Sequence, residues 1–468
     1  MASQPFTLFG MKRPVLLVLL LVAVDAVDAA STAFLNVNVV PMSVETVIPD
    51  QTVVVENGII VAIGDVDSIP VPEQAQVVDG TDRFLMPGLA EMHAHVPAAG
   101  TQFLDRVLTL FVANGVTTIR GMLGQPSHLT LRQDLLDGER FGPRLITAGP
   151  SMNGRSVEGP ADAERKVRAQ HAAGYDFIKI HPGLSAEEFY SIAATCNELG
   201  IPFAGHVTVA VGVEEVLSAG MATIDHLDGY VAALMPANTD RSGGYGGFFD
   251  VLLADQVSEE RIADVVGLTA AAGTWNVPTE SLFEHRVGNV GVAELRNRPE
   301  MRYMPAETVQ RWVQAKEQQL SERGFSAEIG ARAIEFRRKI IAALHAAGAR
   351  LLLGSDAPQV FNVPGFSLHH ELGFLVAAGL TPFEALQTGT TAVAEFLGTN
   401  SGVVAIGHEA DLVLLDANPL LISAIRVAYM ALCYAVTGTR PASFRSACPC
   451  IDHVKSDRSL CVLLTVIP

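Results

Sequence analysis

The feature that most constrains this 468-residue chain is an alternation that begins near Met86: short apolar runs of strand length, separated by longer amphipathic stretches of helical length. That texture signals βαβ units and a parallel sheet, because parallel neighbours need a crossover between them. Eight runs qualify: GLAEMHAHV from Gly88, GVTTIRGML from Gly115, RLITAGP from Arg144, DFIKIH from Asp176, PFAGHV from Pro202, TIDHL from Thr223, TWNVPTE from Thr274 and LLLGSD from Leu351. Helical stretches such as ADAERKVRAQHAAG and SAEEFYSIAATCNELG separate them, and a helix pair that includes TPFEALQTGTTAVAEFLG follows Asp356. The expected fold class is α/β, a (β/α)8 TIM-like barrel over residues 86–398. Such a barrel takes about 250 residues, so a smaller domain has room beside it.

That smaller domain is predicted as a flanking β-sandwich built from N- and C-terminal segments. FLNVNVVPM, QTVVVENGIIVAIGDV and AQVVDG are β-branched runs within residues 31–85, and Asn57-Gly58 between two apolar runs is a hairpin signal. GHEADLVLLD, within residues 399–419, returns to strand texture and is expected to rejoin that sheet. Two connections are long, Gly229 to about Val257 and Ser281 to about Gly330. Both are expected as loops over the C-terminal face of the barrel, where they could act as lids.

Composition narrows the classes. Hydrophobic residues make up 49% and charged residues 18%, which excludes a disordered chain. A net charge of −18 argues against a nucleic-acid partner. Residues 1–30 read as an export signal: Lys12 and Arg13, an uncharged apolar run from Val15 to Val24, and a small-residue cleavage site at Val27-Asp28-Ala29. The run is short for a membrane span, so the expectation is a periplasmic or secreted protein without stable membrane insertion, an uncleaved anchor being the alternative. Cys196 stands alone, whereas Cys433, Cys448, Cys450 and Cys461 crowd the tail without zinc-knuckle spacing.

The histidines carry the chemistry. Five of the eight runs end in a potential metal ligand: His93 and His95 on the first, Lys179 on the fourth, His206 on the fifth, His226 on the sixth and Asp356 on the eighth. Side chains two apart on a strand point the same way, so both imidazoles of His93 and His95 can reach one ion. A lone strand-end histidine is commonly just hydrogen-bonded, but the ordered set on one barrel face points to a metal site. His181 and Tyr230 are candidate substrate contacts, each with a structural alternative. Arg120 either meets a substrate carboxylate or closes a salt bridge at the barrel rim. His369 and His370, in SLHHEL, read as a helix start with a surface role. RSGGYGGFFD lacks the residues of a phosphate cradle.

PGLAEMHAHV and ANGVTTIRGM resemble the first two strands of the amidohydrolase superfamily. DFIKIH, GHV, IDHL and LLLGSD resemble its later metal-bearing strands, and GHEADLVLLD its return strand. The resemblance runs from about Phe34 to Pro419 and is strongest to the imidazolonepropionase-like and prolidase-like branch. It implies two divalent ions, zinc being the expected metal. His93 and His95 would hold one with Asp356, His206 and His226 the other, and Lys179 would bridge them as a carboxylated lysine. It also implies an activated water, with Asp356 as general base and then acid, cleaving an amide bond of a dipeptide or N-acyl amino acid. The alternatives are a lactonase or esterase on the same two ions, a one-metal deaminase, and a scaffold that has lost its metals. The partner is a small-molecule substrate, and a homo-oligomer stays open. Two departures stand out. Gly121 replaces an acidic residue common in relatives, and the Cys-rich stretch 420–468 reads as a shifted frame or as divergence.

Overall fold

The computed structural model describes residues 31–236 and 246–421. The proposed export signal and the four tail cysteines lie outside the described residues, as does part of the Gly-rich stretch. Among the described residues no helix is long and apolar enough to cross a membrane.

The N-terminal segment forms β1 (Ser31–Val39), β2 (Ile48–Glu56), β3 (Ile59–Asp65), β4 (Gln76–Asp79) and β5 (Phe84–Pro87). β2 and β3 pair antiparallel across the predicted two-residue turn. Asn57 and Gly58 both take positive φ, 50° and 76°, as the hairpin turn that matches strand twist requires. The sheet runs β13–β5–β1–β2–β3, with β4 added on β1. β13 (Leu412–Leu415) is the predicted return strand, antiparallel to β5. Alternation along these strands buries Phe34, Val37, Val53, Val55, Leu85, Leu412 and Leu414 in one apolar cluster.

The rest of the chain is α/β. Strands β6 (Leu89–Ala94), β7 (Val116–Gly121) and β8 (Arg144–Thr147) form one parallel sheet. Strands β9 (Ile178–Ile180), β10 (Phe203–Gly205), β11 (Thr223–Asp225) and β12 (Trp275–Val277) form another. Isolated parallel bridges join them: Ala148 to Phe177 and Met152 to Ile180 on one side, and Asn276 to Leu351 and Ala94 to Ala357 on the other. Seven of the eight predicted runs are therefore strands, and the eighth, from Leu351, contributes only bridges. The cause is a competing partner. The Leu353 N–H donates to Thr388 O and the Ala90 N–H to Gly389 O, each at 2.9 Å. The same insertion breaks the helical stretch after Thr381 into Pro382–Gln387 and Thr391–Leu397.

The connection from Ser281 to Gly330 is not a loop. It folds as helices Glu280–Val287, Val292–Arg296 and Ala306–Leu320 with a short 3-10 turn at Pro299–Tyr303. Leu282, Leu295, Met301, Met304 and Trp312 pack there with Phe361 in a core of their own. So long a structureless loop in a compact chain would leave those apolar residues in water.

Candidate metal centre

The candidate histidines and Lys179 lie at or near C-terminal strand ends, and Asp356 ends the eighth run, which contributes only bridges. His93 is inside β6 and His95 one residue past it; Lys179 is in β9; His206 and His226 directly follow β10 and β11. His95 Nε2 is 3.0 Å and His93 Nε2 3.8 Å from Asp356 Oδ1. Ligand atoms about 2.1 Å from one ion at tetrahedral angles sit about 3.4 Å apart, and these two separations bracket that value. One ligand atom from each of His93, His95 and Asp356 falls within 4.8 Å of the others. The second histidine pair adjoins the first: ring centroids are 4.4 Å apart for His93 and His226, and 4.6 Å apart for His206 and His226.

Electrostatics favour ligation. Burial, with help from the Lys179 ammonium, lowers the His93 pKa well below the usual range and that of His95 to about 3. Burial likewise holds His226 well below the usual range. Neutral imidazole is the form that binds a metal. Burial also drives Asp356 well above its ordinary range and lowers Lys179, against the pull of Asp225 and Asp356. Among the described residues, buried His93 Nε2, Asp356 Oδ1 and Lys179 Nζ have no hydrogen-bond partner. Such orphaned atoms are costly unless something pairs with them. A divalent cation is what a set of imidazoles and a carboxylate would accept, so the residues fit the group.

Local backbone is shaped for this end of the molecule. Gly205 precedes His206 with φ +127°, and a Cβ there would lie 2.4 Å from Ile180 O and 2.9 Å from Lys179 Cδ. Only glycine lets Lys179 pass. His226, Thr279 and Asp356 adopt φ of 66°, 50° and 63°, a region that a β-branched residue such as Thr279 seldom enters. Buried Arg337 stabilises the first two of these turns. It donates to His226 O at 2.7 Å and to Pro278 O at 2.9 Å, and it pairs with Glu280 at 2.9 Å.

A ring of supporting groups escaped the sequence reading. Glu91 accepts from the backbone of His93 at 3.0 Å and of Ser355 at 2.8 Å, and from the Ser355 hydroxyl; burial pushes its carboxyl up to about 7. Asp225 lies 3.1 Å from His93 Nδ1, and Asp228 lies 3.0 Å from His206 Nδ1. Thr279 Oγ1 is 2.8 Å from His226 Nδ1. Phe249 stacks on His226 with centroids 4.9 Å apart. The signal for the two aspartates was present in IDHLDG, where they flank His226. Alternation along a regular strand would turn Asp225 and His226 to opposite faces, but the left-handed residue at 226 breaks that alternation.

Other candidates fall elsewhere. His181 is half-buried beside the cluster, with its ring 4.9 Å from His206 and Nδ1 3.3 Å from Ser151 Oγ. Tyr230 is fully buried, and its hydroxyl is committed to Thr269 and Asn276 at 3.0 and 2.9 Å. The expected substrate contact is corrected here: the left-handed pair His226–Leu227 redirects the chain so that Tyr230 drops into the core. Arg120 closes a salt bridge as expected, with Asp225 at 3.2 Å, but in the core and not at a rim: it is 1% exposed and also bonds Met92 O and Thr223. His369 is half-buried within the helix Phe366–Ala377, 2.9 Å from Asn114 O, and not a surface residue.

The chain belongs to the amidohydrolase family, whose model it matches over residues 84–451. It is a hydrolase acting on carbon–nitrogen bonds, in a family that is generally metal-dependent. Its fold is similar to that of a putative prolidase from Bifidobacterium longum, with 23% identity over 85% of this chain and 92% of that one and a TM-score of 0.62. It is also similar to a bottromycin amidohydrolase, at 22% identity over 83% and 82% of the two chains with a TM-score of 0.62. A third similar structure is a Xaa-Pro dipeptidase with bound methionine in the active site, at 20% identity over 85% and 97% with a TM-score of 0.61. No curated protein matches the chain by sequence.

Proposed function

We propose that this chain is a binuclear metal hydrolase that cleaves an amide bond in a dipeptide or N-acyl amino acid. The observation that carries the reading is the convergence of His93, His95 and Asp356, whose ligand atoms lie within 4.8 Å, with the His226 ring 4.4 Å from that of His93. In this reading the two parallel sheets belong to one closed (β/α)8 barrel over 86–398. The six-stranded sheet, from 31–85 and 399–419, is then part of a flanking sandwich.

His93, His95 and Asp356 would hold one divalent ion, and His206 and His226 the second. Zinc suits this nitrogen and oxygen donor set. Bound ions of this kind lower the pKa of water towards neutrality and polarise a carbonyl. Lys179 would bridge them. A protonated ammonium cannot ligate a cation, but burial lowers the pKa of this lysine, and its neutral amine can add carbon dioxide, losing a proton, to give a carbamate. Its Nζ is buried without a well-aligned hydrogen-bond partner, Asp225 Oδ2 standing 3.5 Å away, which supports this assignment.

Asp356 takes the proton from the attacking water and returns it to the leaving amine. Burial raises the pKa of this carboxyl well above its ordinary range, the direction that suits a group taking up and returning a proton. His181, half-exposed beside His206, is positioned to hydrogen-bond the substrate carbonyl or carboxylate. The test is a screen of zinc-loaded protein against dipeptides, N-acyl amino acids, lactones and aryl esters. Amide hydrolysis that Asp356→Asn abolishes is the expected result. Turnover confined to lactones or esters would overturn the amide assignment.

A further inference from the structure

We propose that Asp225 is the positioning residue that fixes His93 as its Nδ1–H tautomer, so that the Nε2 lone pair faces the metal. The proposal rests on the metal reading above and deepens it.

The two groups share a buried contact. Asp225 Oδ2 lies 3.1 Å from His93 Nδ1, and both side chains are at most 1% exposed. Among the described residues neither atom has a well-aligned hydrogen-bond partner. At that separation, in a medium of low dielectric, an unprotonated Nδ1 would set its lone pair against the carboxylate. A proton on Nδ1 turns repulsion into a charge-assisted hydrogen bond after a small ring rotation. Protonating Nδ1 leaves Nε2 as the lone-pair nitrogen, and Nε2 is the atom 3.8 Å from Asp356 Oδ1. A carboxylate behind a ligating imidazole in this way fixes its tautomer and raises its basicity.

What holds Asp225 in place is also visible. Its other oxygen, Oδ1, accepts from Thr223 Oγ1 at 2.7 Å and from Arg120 Nη2 at 3.2 Å. Arg120 Nε donates at 2.7 Å to Met92 O, the carbonyl just before His93. One guanidinium therefore fixes both the carboxylate and the strand that carries the histidine. Lys179 Nζ is 3.5 Å from the same Oδ2, so the carboxylate also borders the proposed bridge. Across the cluster, Asp228 stands 3.0 Å from His206 Nδ1 in the corresponding arrangement.

The direction of the substitution test follows from Oδ1. In Asp225→Asn, Thr223 and Arg120 keep the amide oxygen at the Oδ1 position, which turns the amide NH2 towards His93 Nδ1. An N–H aimed at Nδ1 selects the Nε2–H tautomer, which cannot ligate through Nε2. Two measurements read this: nitrogen-15 NMR of the histidine rings in metal-free protein, and zinc affinity by competition with a chromophoric chelator. We expect the native protein to show His93 protonated at Nδ1. Asp225→Asn should move the proton to Nε2 and weaken zinc binding about 10–100-fold. Because the single variant leaves the Arg120 charge short of a partner, Arg120→Met/Asp225→Asn serves as the second variant. It should melt closer to the native protein and show the same tautomer change and affinity loss. Zinc affinity within about twofold of native, or an affinity loss with His93 still protonated at Nδ1, would overturn the proposal. A native protein that binds no zinc, yet loses its Nδ1–H signal on Asp225→Asn, would support the tautomer assignment and overturn only the metal reading.

Discussion

The six-stranded sheet and the histidine cluster both use left-handed backbone, but they place it in different residues. In the sheet region the non-glycine residues with positive φ are Asn36, Met42, Asp50, Asn57, Asp67 and Asp82, all but one of them Asn or Asp. Those side chains tolerate the conformation at little cost. Around the cluster the residues are His226, Leu227, Phe249, Asp250, Thr279, Asp356 and Phe361, most of them bulky or branched. One region turns by using residues suited to turning. The other is held by its surroundings, as strained functional sites are. Its restraints are buried and charged: Arg337 on His226 O and Pro278 O, Glu280 on Arg337, and Glu371 on the Glu280 and Ser281 N–H groups at 2.9 and 2.6 Å.

The comparison yields predictions in descending size. Asp356→Asn should lower turnover by about 10²–10⁴-fold, the range for a lost general base, while the melting temperature of the metal-free protein holds or rises. Burial already disfavours the Asp356 carboxylate, so a neutral amide costs the fold little. A turnover within tenfold of native would remove Asp356 from proton transfer. Next, Arg337→Met leaves Glu280 a buried, unpaired charge and His226 O without its donor. It should destabilise the protein by about 3–5 kcal/mol in urea unfolding, and a loss under 1 kcal/mol would show that the site does not depend on this restraint.

Smaller effects separate strain from bonding. Thr279→Gly relieves a left-handed β-branched residue, by about 1–2 kcal/mol, but loses the hydroxyl that meets His226 Nδ1. The melting temperature should stay level or rise while activity falls. Asn57→Gly, in the relaxed hairpin, should change stability by less than about 0.5 kcal/mol and leave activity alone. If Thr279→Gly destabilised and Asn57→Gly did not, the left-handed residue at 279 would not be strained.

Much of this contrast was legible in the sequence. Seven strands stood out because short apolar runs bounded by turn residues report burial directly, and the hairpin because Asn-Gly has one dominant use. The convergence of His93, His95 and Asp356 was readable because parallel strands bring their ends to one face. The eighth run failed as a strand because its Leu353 N–H is taken by Thr388, a partner 35 residues away in sequence that no local pattern reveals. Tyr230 and Arg120 were misplaced for a related reason. A left-handed step at His226 redirects one, and the buried carboxylate of Asp225 on β11, far from β7 in the strand order, captures the other. The helical insert from Glu280 to Leu320 was hidden by its mixed composition, since Lys316 and Gln319 are buried among its apolar residues.

The central claim is that this end of the molecule holds two ions bridged by Lys179. Elemental analysis of purified native protein and of Lys179→Ala, each loaded with zinc and freed of excess metal, tests it most directly. The account predicts two ions per native chain, one per Lys179→Ala chain, and loss of most turnover with the melting transition retained. Two divalent ions bring four positive charges, and without the carbamate they repel with less shielding in a low-dielectric site. No metal in the native protein, or two ions and normal turnover in Lys179→Ala, would contradict it.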